Sequence, residues 1–101
     1  MKELKLEDLL EKIKEYNPEE VDVIKKAYYF AEELHKGQVR QSGEPYISHP
    51  LNVAYILAEM HADRDTICAA LLHDTLEDCD LSKEEIAELF NKDIANLVDG
   101  V

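Results

Sequence analysis

An all-α fold of about six helices is the architecture this sequence predicts, on three observations. Its 101 residues include only three glycines and three prolines, so few positions force the chain out of helix. No run of β-branched residues suggests a strand. Apolar residues recur at spacings of three and four along most of the chain, the period of a helix with one buried face. A chain of this length makes one small domain with one modest core.

The first helix is expected over residues 5–16, with Leu6, Leu9, Leu10 and Ile13 as its apolar stripe. Asn17-Pro18-Glu19-Glu20 reads as the start of the second: Asn17 suits the cap, Pro18 the first turn, and Glu20 can reach back to the cap. This helix should run to about residue 35 or 36, turning Val21, Ile24, Ala27, Tyr28, Ala31 and Leu34 inward, and stop at Gly37. From Gly37 to His49 the period breaks, and the stretch has a length that is usually functional or disordered in compact domains. Tyr46 and Ile47 suit anchors to the core, which favours a functional loop.

Pro50 suits the first position of a third helix that buries Leu51, Ala54, Tyr55, Leu57 and Ala58, with His49 standing just before it. Asp63 should cap the fourth, which carries the apolar run of residues 67–72. Ser82-Lys83-Glu84-Glu85 is a capping box for a short fifth helix with Ile86, Leu89 and Phe90 inside. Asn91 caps a sixth, carrying Ile94, Leu97 and Val98. No internal repeat, low-complexity segment or second domain is visible.

The net charge of −12 and pI near 4.6 repel nucleic acid and anionic membrane. A phosphorylated ligand would be repelled at long range too, and would need local help from a metal and a well-placed arginine. No apolar stretch approaches the roughly 20 residues a membrane helix needs, and Met1-Lys2-Glu3-Leu4-Lys5 does not open a secretion signal. Cys68 and Cys79 do not make a disulfide framework, so free thiols in a reducing cytoplasm are expected.

The chemistry concentrates where His73, Asp74, Glu77 and Asp78 follow the apolar run. Positions four apart share a helix face, so a continuing helix stacks His73 over Glu77 and Asp74 over Asp78. An imidazole and three carboxylates crowded at one helix end repel one another unless a cation sits among them. A metal ion would remove that cost. The plainer reading is a solvated helix end with an incidental histidine. Arg40, in a loop bracketed by glycines, is where an anion would be received, although a surface pair with Glu44 is the ordinary alternative. His49 reads equally as a capping histidine, and Glu77 and Asp78 as surface acids. His35 and His61 read as structural, and Tyr28, Tyr29 and Tyr55 as core or core edge.

His35-Lys36-Gly37-Gln38, then Arg40, then the run from Ser42 through Gly43-Glu44-Pro45-Tyr46-Ile47-Ser48-His49-Pro50, resemble the opening of the hydrolase domain in the RelA/SpoT homologue family. His73-Asp74 with Glu77-Asp78 resembles that family's HD and ED motifs, and Val98-Asp99-Gly100-Val101 its next landmark. The resemblance implies an all-α HD-superfamily fold, of which this chain is the N-terminal part. It implies removal of the 3′-pyrophosphate from guanosine tetra- or pentaphosphate, (p)ppGpp, with bound manganese (Mn2+). His49, His73 and Asp74 would be metal ligands, Glu77 and Asp78 would organise and activate the attacking water, and Arg40 and Ser42 would lie along the nucleotide.

Two departures qualify that picture. Gln41 stands where many members carry lysine, and the family's fourth ligand, an aspartate, is expected beyond Val101. The fragment alone is therefore expected to bind metal weakly or not at all, to lack activity and to self-associate through apolar surface. Imidazoles and carboxylates independently suit a divalent first-row metal, without separating manganese from iron or zinc. Two alternatives stand beside this: a general HD-superfamily nucleotide phosphohydrolase, and a degenerate HD module kept for regulation. In the degenerate members the HD and ED residues are typically altered, whereas all four stand here.

Overall fold

The structure, a computed structural model, describes residues 4–36, 47–73 and 81–99. Six α-helices lie within those residues: α1 (Leu6–Lys14), α2 (Val21–Leu34), α3 (Ser48–Glu59), α4 (Arg64–Leu72), α5 (Lys83–Leu89) and α6 (Lys92–Val98), with a 3-10 turn at Pro18–Glu20. No strand occurs among the described residues, so the all-helical expectation holds.

α4 is the centre of the packing. It lies against α2, α3 and α6, while α1 covers α2 and α3, and α5 rests on α6. The sequence explains this position: Ile67, Cys68, Ala69, Leu71 and Leu72 are all buried, leaving no wide polar face. Full burial of a side chain such as Ile67 or Leu71 stabilises by about 1.5–3 kcal/mol before entropy is counted. The small residues Ala54 and Ala58 of α3 are fully buried, and side chains of that size let helix axes approach closely.

The N-terminal end of α4 is heavily tied. Asp63 caps the helix by accepting from the Thr66 backbone N–H at 2.8 Å. The Asp65 carboxylate holds the Arg64 guanidinium at 3.1 Å and accepts from the Asn91 amide at 3.2 Å, while Arg64 also reaches Glu20 at 3.3 Å. Asn91 in turn caps α6 through Ile94 at 2.7 Å. Ser82 and Glu85 form the expected reciprocal box on α5. At the other end of α5, Lys26 of α2 donates to the Leu89 carbonyl and lies 4.8 Å over the Phe90 ring.

Asp63→Ala is expected to cost about 1 kcal/mol of stability, read as a shift in the denaturation midpoint. Hydrogen bonds from Thr66, with a smaller pull from Arg64, hold the Asp63 carboxyl below its ordinary value of 3.8. A carboxylate depressed in the folded state stabilises above its unfolded value and loses that contribution as pH falls through the folded one. The difference between wild type and variant should therefore be full at neutral pH and close below pH 3.8.

Four details differ from expectation. Asn17 makes no side-chain cap; its φ of −150° and ψ of 61° depart from the extended backbone usual at a cap, and the chain enters α2 through the 3-10 turn. α3 begins at Ser48, so His49 lies inside its first turn rather than before it. Leu89 and Leu97 are exposed, at 41% and 47%. On both short helices the inward face is completed by a residue one step past the leading isoleucine, Ala87 after Ile86 and Ala95 after Ile94, which rotates Leu89 and Leu97 outward. Tyr29 is likewise half exposed, although Tyr28 is buried as expected.

Candidate metal site

α3 and α4 form an antiparallel hairpin, and its geometry selects two histidines. His49 sits in the first turn of α3 and His73 directly follows the last turn of α4. Both therefore stand at the open end of the hairpin, their ring centroids 6.1 Å apart and their planes tilted by 58°. His49 is exposed and His73 half-buried.

His73 is oriented by its own helix. Its Nδ1 lies 2.9 Å from the Ala70 carbonyl oxygen. A carbonyl can only accept, so Nδ1 carries the proton in this contact and the lone pair of the ring lies on Nε2. A histidine that donates one ring N–H to a backbone carbonyl while binding through the other nitrogen is the usual arrangement of a metal-ligating imidazole. Ring nitrogens about 2.1 Å from one shared ion put two centroids roughly 4.6–5.6 Å apart at angles of about 90–120°, so the observed 6.1 Å is slightly wide and a common cation would draw the two rings together by about 0.5–1.5 Å. The donor set fits a divalent metal.

Two histidines alone do not complete a metal site. Among the described residues there is no group of three or more His, Cys, Asp or Glu side chains that could hold a metal. The expected third ligand, Asp74, lies outside the described residues, as do Glu77 and Asp78 and the loop residues Arg40 and Ser42.

Other candidates are excluded by their surroundings. Cys68 is fully buried and its thiol is pushed up to about 12, chiefly by burial, so it serves neither as nucleophile nor as soft ligand. Arg64 is engaged by Asp65 and Glu20. His35 is 3% exposed at the C-terminal cap of α2, where its backbone N–H donates to Ala31. The Tyr28 hydroxyl faces Glu32 at 3.4 Å, and burial with that carboxylate raises it to about 12.

The residue pair that sequence reasoning passed over is Tyr16–His61. Their rings stack at 4.4 Å with an 18° interplanar angle, and the Tyr16 hydroxyl donates to the Ala62 carbonyl at 2.7 Å. His61 has a φ of 58°, left-handed space that costs a non-glycine residue roughly 1–2 kcal/mol.

A family model for the HD domain matches residues 27–101. The chain belongs to the HD domain family. Domains of this family generally bind divalent metal ions, which agrees with the donor set at the mouth of the α3–α4 hairpin. The chain is 54% identical over 99 residues to a guanosine-3′,5′-bis(diphosphate) 3′-pyrophosphohydrolase of Aquifex aeolicus, covering 98% of this chain and 14% of that protein. It is 48% identical over 96 residues to the bifunctional (p)ppGpp synthase/hydrolase SpoT of Escherichia coli K12, covering 94% and 14%. A GTP pyrophosphokinase of Myxococcus xanthus shares 50% over 90 residues, covering 88% and 12%. The chain thus spans between 12% and 14% of the length of these relatives. No helix among the described residues is long and apolar enough to cross a membrane.

Proposed function

We propose that this HD domain is the N-terminal part of a manganese-dependent hydrolase that removes the 3′-diphosphate from (p)ppGpp in the cytoplasm. The observation that carries the reading is the His49–His73 pair, brought to one end of the α3–α4 hairpin with the His73 proton turned to the backbone. The substrate is inferred from the names of the relatives.

In this reading His49, His73 and Asp74 hold the ion, with a further carboxylate supplied by a later segment. The ion acidifies water and neutralises phosphoryl oxygens when bound. Glu77 takes the proton of the attacking water, and Asp78 orients that water. The water oxygen bonds to the phosphorus attached to O3′, the P–O3′ bond breaks, and O3′ leaves with the proton returned by Glu77. Pyrophosphate and GDP or GTP result. Arg40 and Ser42 hold the nucleotide, and the planar guanidinium of Arg40 offsets the repulsion a polyanion meets at a protein of net charge −12.

Glu77→Gln in the whole protein tests the assignment. The amide keeps the size of the side chain and loses its basicity, so hydrolysis should fall by about 10²- to 10⁴-fold with metal affinity retained. Undiminished release of pyrophosphate from (p)ppGpp would remove Glu77 from the mechanism.

A further inference from the structure

We propose that Tyr16 and His61 are positioning residues that set, from the far end of the α3–α4 hairpin, the separation of His49 and His73. The metal-binding consequence rests on the proposed metal site; the geometric one does not.

His61 is where α3 ends. Its backbone N–H donates to Ala58 and that of Ala62 to Leu57, both at 3.0 Å, the paired bonds of a left-handed C-terminal cap. Glycine makes this cap without steric cost, yet the chain places a histidine there at a φ of 58°. A side chain kept in a disfavoured conformation points to what it touches. This one lies flat on Tyr16, which follows α1, and the same tyrosine bonds the carbonyl of the next residue, Ala62. The residue after that, Asp63, caps α4 through Thr66. Three consecutive turn residues are thus fixed, two of them by one side chain from outside the hairpin.

The lever is long. α3 has 12 residues and α4 has nine, so at 1.5 Å rise per residue the histidines stand about 14–18 Å from the turn. A rotation of about 5° at the turn then moves the open end by roughly 1.5 Å, well beyond the few tenths of an ångström that ligand distances tolerate. A clamp at the turn therefore has its largest geometric effect at the histidine pair.

His61→Gly removes the ring and relieves the backbone, so a role in stability alone predicts a chain that is unaltered apart from its Tm. The positioning role predicts more. Residual dipolar couplings of the metal-free chain should show a changed angle between α3 and α4, and calorimetric titration with manganese should show affinity weakened on the order of three- to tenfold, at a Tm close to that of wild type. Tyr16→Leu, which reaches the stack from the other side, should do the same, and decides the matter if His61→Gly does not fold. In a chain that binds manganese, unchanged affinity overturns the proposal whatever the angle does. If wild type binds no manganese without its further ligand, the angle decides, and an unchanged angle in the variants overturns the clamp.

Discussion

His73→Asn should abolish manganese binding by this chain while leaving its fold intact. The reason lies in the 2.9 Å contact between His73 Nδ1 and the Ala70 carbonyl. An asparagine amide places its NH2 close to where Nδ1 stands, so the bond to the backbone can be kept. Nothing in asparagine extends to the position of Nε2, so the ligand atom is lost. Disturbing a residue that only supports a metal ligand typically costs about 10- to 100-fold in affinity, and removing the ligand itself should exceed that. His73→Gln is the companion variant: it reaches farther but offers a neutral carbonyl oxygen, a poor substitute for imidazole on a first-row metal. Calorimetry should therefore rank wild type well above both, with circular dichroism unchanged. Asp74→Ala should weaken binding in the same assay. Equal manganese affinity in wild type and His73→Asn would dismiss the histidine pair as a metal site.

The helices were legible wherever the signal is local. Asp63, Ser82 and Asn91 each cap a helix through a bond to a backbone N–H three residues on, so the information lies within four residues. Asn17 has the same chemistry but failed as a cap. Its backbone N–H remains bonded to Ile13 of α1 at 2.7 Å, and its carbonyl accepts from Glu20 in the 3-10 turn. Leu89 and Leu97 were misplaced because helical spacing identifies a stripe without saying which edge of it a neighbour covers. The pairing of His49 with His73 depends on how α3 and α4 cross, which no spacing along the chain encodes; only the ordered motifs linked them. Tyr16 and His61 are 45 residues apart, and the one local sign was a helix end, Met60-His61-Ala62, with no glycine at the position that usually has one.

The largest stability effect should come from Leu71→Ala. Leu71 is 1% exposed on α4, the helix that α2, α3 and α6 all pack against, so a cavity there cannot close by the shift of a single neighbour. A loss of about 2–5 kcal/mol is expected, against a total of roughly 5–15 kcal/mol for a domain of this size. In thermal unfolding this amounts to a Tm lower by roughly 10–25 °C, whereas the exposed control Glu88→Ala should stay within about 0.5 kcal/mol of wild type. The same variant connects the core to the site. His73 follows Leu72 without a break, so the helix that loses its packing is the one that presents the proposed ligand. An ion that binds only the folded chain stabilises it by mass action, about 2.7 kcal/mol at a hundred times its Kd. Saturating manganese should therefore raise the Tm of wild type and restore part of the Tm of Leu71→Ala, but leave that of His73→Asn where it was. Recovery in all three would mean that the ion binds somewhere other than the end of α4.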